Sequence, residues 1–189
     1  MGASSALIFG VLINVAILLV FFRFLMQLAA VSPYNPVVLS TMKATKIVDL
    51  FSRSLPTIAK GRVNLAAFVL LIVLYLLKIF GLMYLAGQMP HSAVYLVITT
   101  FVTMIQDLVS FCKYLIFATI ILSWVVMFTQ SRSPYIEVIQ ELAEPLLAPF
   151  RRLLPNMGMI DLSPILAYLA LHIIGILMNE AAKVLLTGL

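Results

Sequence analysis

Charged side chains are scarce in this chain. Asp, Glu, Lys and Arg make up 10% of its 189 residues, while hydrophobic residues make up 63%. A soluble domain usually carries about a quarter charged and about half apolar residues, so this composition excludes an ordinary water-facing surface. The single cysteine, Cys112, excludes an internal disulfide and a cysteine cluster for a metal. The sequence has no phosphate-binding glycine loop, no nucleophile motif and no His/Cys pattern with metal-ligand spacing. Gly-x-x-x-Gly is missing, so close helix packing cannot be located that way. No Lys or Arg precedes Arg23, so the positive n-region of a signal peptide is missing and the first apolar block is expected to be a retained span. No cofactor, metal or enzymatic activity is expected.

What the chain has instead is long apolar blocks, the pattern of membrane spans. The reading is an all-α membrane protein with four transmembrane helices, at about 5–30, 63–86, 108–128 and 162–186, and short interfacial helices in its two long loops. The stretch from Ala93 to Phe128 would be about 54 Å long as a helix, against a hydrocarbon core of roughly 30 Å. Residues 108–128 suffice to cross. Thr99, Thr103 and Gln106 share one helical face in the remainder, so 93–106 is expected to be an interfacial or protruding extension.

Positive charge orients the chain. The first long loop holds Lys43, Lys46, Arg53, Lys60 and Arg62, the second holds Arg132, Arg151 and Arg152, and the turn Gly87–His91 holds no Lys or Arg. Both long loops are therefore expected in the cytoplasm and both termini outside, with Trp124 near the inner interface. The net charge of +5 points to anionic lipid headgroups, not nucleic acid. Lys78 and Lys113 are expected to snorkel outward, with Asp107 placed to neutralise one of them.

The halves 1–90 and 91–189 share one plan of span, proline-punctuated loop, span. An offset of 99 aligns Ala44, Phe51, Arg53, Leu55 and Pro56 with Ala143, Phe150, Arg152, Leu154 and Pro155. Each half has an even number of spans, so the copies are expected to be parallel, related by a pseudo-two-fold along the membrane normal.

Ser133-Pro134-Tyr135, Glu144-Pro145, Ala148-Pro149-Phe150-Arg151-Arg152-Leu153-Leu154-Pro155 and Asp161-Leu162-Ser163-Pro164 together resemble the YggT family. The resemblance covers nearly the whole chain. It implies a small bacterial inner-membrane protein with plastid relatives, four spans, two copies of one unit and no established enzymatic activity. It also implies loose links to osmotic and ion homeostasis, to envelope or division processes and, in plastids, to cytochrome assembly. The motif residues are Pro145, Pro149, Arg151, Arg152, Pro155, Asp161, Ser163 and Pro164. The first copy departs from them: Lys46 replaces the first proline, Ser52 the first arginine, Asn64 the aspartate and Ala66-Ala67 the Ser-Pro pair.

Each candidate site also has a structural reading. Ser163 fits a helix N-cap and Pro164 the first helical position, with Asp161 adding favourable charge; a functional carboxylate is the sharper alternative. Arg151 and Arg152 suit lipid phosphate or a partner's carboxylate. Glu137, Glu141 and Glu144 share a helix face, either solvated or facing a partner. Lys43 and Lys46 could pair with Glu141 and Glu144 across the two halves. Asn14, Arg23 and His172 are candidates for an intramembrane polar site, against His172 simply packing with Asn14 on a neighbouring helix. The functional expectation is a scaffold or assembly factor working through its cytoplasmic loops, alone as a homo-oligomer or with a membrane-protein partner. The alternative is an oligomeric small channel or ion-transport component.

Overall fold

The structure, a computed structural model, describes residues 2–52, 55, 57–58, 61–130, 133–154 and 161–187. Arg53, Pro56, Lys60, Arg132 and Pro155, named above, lie outside the described residues. In chain order the described elements are α1 (Gly2–Leu28), α2 (Pro36–Ala44), α3 (Ile47–Ser52), β1 (Thr57–Ile58), β2 (Val63–Asn64), α4 (Leu65–Leu85), α5 (Ala93–Thr129), α6 (Pro134–Leu153) and α7 (Ser163–Thr187). Four of the helices, α1, α4, α5 and α7, are long and apolar enough to cross a membrane. The helix starts recur at one spacing: α2 and α6 begin 98 residues apart, at Pro36 and Pro134, and so do α4 and α7, at Leu65 and Ser163.

Local chemistry sets the ends. Asn35 caps α2 by accepting the Val37 N–H, with Pro36 at the first position, where its missing N–H is no loss. Asn64 caps α4 through the Ala67 N–H, Ser92 caps α5 through the Tyr95 N–H, and Ser133 caps α6 ahead of Pro134. Helix α4 stops where Gly87 takes φ +72°, and the Gln88 N–H then reaches back to the Met83 carbonyl at 2.9 Å. The antiparallel pair β1–β2, Thr57 opposite Asn64, has no counterpart in the sequence reading.

The spans pack chiefly as two antiparallel pairs, α1 on α4 and α5 on α7, with α4 against α5. Helices α1 and α4 approach closely at Gly81, where a Cβ would lie 2.5 Å from the Phe9 ring. Ile13, Ile17, Val20 and Phe21 of α1 form one core with Val48, Leu71 and Tyr75. A second core lies under α6, where Val138, Leu142 and Leu147 meet Met26, Leu115, Ile116 and Ala167. Phe111 packs against both cores and sits edge-on to Phe21, ring centroids 5.4 Å apart.

Polar contacts between helices fix α5 lengthwise. Asp107 Oδ2 accepts the Tyr75 hydroxyl at 2.9 Å and faces Lys78 Nζ at 3.5 Å. Gln106 Nε2 donates to Asn179 Oδ1 of α7 at 2.9 Å. The neutralisation expected of Asp107 therefore falls to Lys78. The segment 93–106 extends the third long helix, as the sequence led one to expect. This segment continues α5 without a break, and its Thr99, Thr103 and Gln106 face line a cavity with Ile176, Asn179 and Ala182 of α7. The longer overhang of α5 past α4 is on the loop side. From Asp107, α5 runs 22 residues to Thr129, whereas α4 runs 10 residues from Tyr75 back to Leu65. That difference carries α5 about 18 Å further on the loop side.

In a Cys112→Ser background, cysteines at Gln106 and Asn179 are expected to join within one chain through a short bis-maleimide. A peptide map should show the linked pair. A segment 93–106 lying along the membrane surface would leave both cysteines singly labelled.

Candidate functional site: the loop-end groove

Helix α6 is amphipathic. It buries Val138, Leu142, Ala143 and Leu147 and exposes Glu137, Gln140, Glu141, Glu144, Arg151 and Arg152. Its internal Pro145 and Pro149 each remove a helical N–H, a break that in isolation costs about 3 kcal/mol. The packed apolar stripe and the bonds at its end hold the helix regardless. Arg151 and Arg152 fall in the last turn, where positive charge suits the helix C-terminus.

Arg151 bridges two elements. Its Nη1 donates to Glu144 one face below, and its Nε donates to Asp161 Oδ2 at 3.0 Å, just ahead of α7. The other oxygen of Asp161 accepts the Ser163 N–H at 2.9 Å. Partial burial would raise the Asp161 carboxyl, but the Ser163 hydroxyl and N–H and the Arg151 guanidinium outweigh it and hold it below its ordinary value. The cap lies one residue earlier than expected: the Leu162 carbonyl accepts the Leu166 N–H, so Ser163 is already helical and the Asp161 carboxylate supplies the capping oxygen. Pro164 remains within the first turn, where it displaces no bond.

Between the overhang of α5, helix α6 and the start of α7 lies a groove of about 770 Å³. Ile120, Met127, Phe128, Leu147 and Pro164 give it apolar walls, and Ser123, Gln140, Glu144, Arg151 and Asp161 lie along its rim. Trp124, expected near the inner interface, lies at this groove and is 64% exposed. Among the described residues no three His, Cys, Asp or Glu side chains gather as metal ligands. The rim's charged groups bond to one another and to helix ends. That arrangement orients α6 against the start of α7.

The first loop is tied down differently. Arg23 of α1 is 5% exposed; its Nη1 donates to the Thr45 carbonyl at 2.9 Å and hydroxyl at 3.1 Å, and its Nη2 pairs with Asp49. These bonds anchor the junction of α2 and α3 on α1. Asp49 was missed in the sequence, although it is the one carboxylate between residues 31 and 62 and a natural partner for an arginine in an apolar block. The two loops touch: the Ser32 N–H donates to Glu141 at 2.9 Å, and Asn35 Nδ2 donates to the Pro134 carbonyl at 3.0 Å. Glu141 is thus answered by a backbone N–H and Glu144 by Arg151. Lys43 and Lys46 are exposed and make no ion pair among the described residues.

Asn14, Arg23 and His172 are not brought together. Arg23 is buried against the first loop, His172 is exposed and stacks on Tyr168 with ring centroids 6.4 Å apart, and Asn14 is exposed on the outward side of α1. The titratable cluster between the spans is instead Tyr75, Lys78 and Asp107.

The CCB3/YggT family model matches residues 98–182, which include α6, the groove and most of α5 and α7. An uncharacterised protein of Pseudomonas aeruginosa is 33% identical over 181 residues, 94% of this chain and 89% of that protein. An uncharacterised protein of Vibrio alginolyticus is 30% identical over 180 residues, 94% of both chains. The uncharacterised protein YggT of Escherichia coli K12 is 31% identical over 172 residues, 88% of this chain and 87% of that protein. No solved structure matches the chain.

The depressed Asp161 carboxyl sets a pH dependence. A carboxyl whose value is lower in the folded state stabilises the fold at neutral pH, and the contribution is lost as pH falls through that value. Asp161→Asn is expected to lower thermal stability in detergent at pH 7 by about 1 kcal/mol or less, because both partners are partly solvated. The gap from wild type should close on acidification below the ordinary carboxylate range. A gap that stays constant with pH would show that Asp161 acts through shape alone.

Proposed function

The chain belongs to the CCB3/YggT family, and from that premise we propose that it is a non-enzymatic scaffold or assembly factor of the bacterial inner membrane, serving envelope homeostasis. Its loop end faces the cytoplasm and there receives a segment of a membrane-protein partner. The single observation that carries this reading is the loop-end groove of about 770 Å³, apolar along its walls and edged by side chains whose charges are already paired. Such a surface takes up a partner's apolar side chains without a further charge to satisfy. The bacterial relatives and the excess of Lys and Arg in the long loops support the location and the orientation. The recurring 98-residue spacing of helix starts supports two parallel copies of one unit, 1–90 and 91–189. The first copy carries Arg23 and Asp49 where the second relies on Arg151 and Asp161 to hold its loop.

A second reading, an oligomeric channel or ion-transport component, rests on another observation. A cavity of about 420 Å³ between the far halves of α5 and α7 is lined by Thr99, Thr103, Gln106, Asn179, Glu180 and Lys183. Polar side chains that line a cavity between spans suit a solute path. Among the described residues this cavity is one-sided, so a pore would need further copies.

Reporter fusions at Met89 and after Leu189 are expected to give an extracytoplasmic signal; a cytoplasmic signal from either would overturn the orientation. Crosslinking in cells, followed by purification in mild detergent, is expected to yield a reproducible hetero-complex. Ser123→Trp fills the groove from an exposed position and should remove the partner while leaving thermal stability within about 0.5 kcal/mol. A hetero-complex indifferent to Ser123→Trp would exclude the groove. Ion flux in liposomes without any partner would favour the second reading.

A further inference from the structure

Helix α1 keeps one apolar face that none of the described residues covers. Leu7, Val11 and Leu18 on it are 71%, 62% and 54% exposed. In a membrane such a face meets lipid tails, and a purely apolar one needs no further account. This one contains Asn14. The residue is exposed, and its amide makes no hydrogen bond among the described residues. It stands 10 residues from Ser4 and 14 from Leu28, near the middle of the span. Either end is about 15 Å or more away along the helix, beyond the reach of so short a side chain. An unpaired amide in hydrocarbon is costly.

The spacing of this face is informative. Ser4, Leu7, Val11, Asn14 and Leu18 follow one another at intervals of 3, 4, 3 and 4 residues. That is the seam of a left-handed helix pair, in which successive side chains fill the holes of a facing helix. A single asparagine in such a seam fixes register and copy number, because its amide both donates and accepts. The opposite side of α1 is occupied: Phe9 packs on Gly81, and Gly10 faces Leu82.

We propose that this seam of α1 joins two copies of the chain in the membrane, with the two Asn14 amides hydrogen-bonded to each other across a two-fold along the membrane normal. Identical chains inserted the same way carry Asn14 to the same depth, so a second copy presents the matching group without further adjustment. In an interface between like surfaces each amide donates to its partner and accepts in return. No residue of this seam lines the loop-end groove or the cavity between α5 and α7. It does not depend on either reading of the function.

Single cysteines in full-length protein lacking Cys112 test this in native membranes. Mild oxidation is expected to link copies through cysteines at Val11, Asn14 or Leu18. A cysteine at Leu12, which is 66% exposed but off the seam, should link at least severalfold less. In liposomes, dilution with lipid should dissociate Asn14→Val about threefold or more readily than wild type, and Asn14→Gln should retain most of the association. Three results would overturn the proposal. They are equal linking at Leu12 and Asn14, the same dilution curve for wild type and Asn14→Val, or linking of Asn14→Cys to a different protein in place of a second copy.

Discussion

The carboxylate of Asp107 lies beside the middle of α4, where the surroundings are apolar and a charge needs company. It finds two donors on one neighbouring helix, Tyr75 and Lys78, which lie three residues apart on the same face. This tie joins the half of the molecule built on α1 and α4 to the half built on α5 and α7. It also decides where α5 lies along its own axis. Apolar side chains on facing helices can slide by a turn at modest cost, but a carboxylate bonded to a hydroxyl cannot. With Asp107 level with Tyr75, the far end of α5 must run past its neighbours, and the overhang becomes one wall of the loop-end groove.

The loops solve a related problem at lower stakes. Each must return the chain to the membrane while satisfying helix ends and buried polar groups. In the first half this falls to Arg23, bonded to Thr45 and Asp49, and to Asn64 at the start of α4. In the second it falls to Arg151, held between Glu144 and Asp161, and to Asp161 at the start of α7. The arginine sits on a span in one case and on the loop helix in the other. The loop helices of the first half, α2 and α3, have 9 and 6 residues, whereas α6 has 20 and forms one side of the groove.

Much of this was legible in the sequence. The start of α7 falls at the position marked by Asp161-Leu162-Ser163-Pro164, because capping chemistry is local, and α4 begins within two residues of the start expected from its apolar block. The partner of Asp107 was narrowed to Lys78 or Lys113, since few charges were available. What the sequence did not reveal depends on rotation and sliding of one helix against another. Hydropathy does not vary along α5 sharply enough to say which 20 or so residues lie level with α4. Helical spacing put Glu141 and Glu144 on one face but could not say that a backbone N–H and Arg151 would reach them before Lys43 or Lys46. His172 looked central because it lies far from both ends of its helix, yet depth does not determine direction, and it faces outward. Asp49 was the available signal that went unused.

Tyr75 and Asp107 are coupled through one hydrogen bond and hold α4 and α5 in one register. A double-mutant cycle with Tyr75→Phe and Asp107→Ala measures this directly, read out as reversible unfolding in bicelles. Because a direct hydrogen bond between spans contributes about 0.5–2 kcal/mol, the double mutant should be more stable than the sum of the single losses by that amount. Additive losses, with a coupling indistinguishable from zero, would contradict the account.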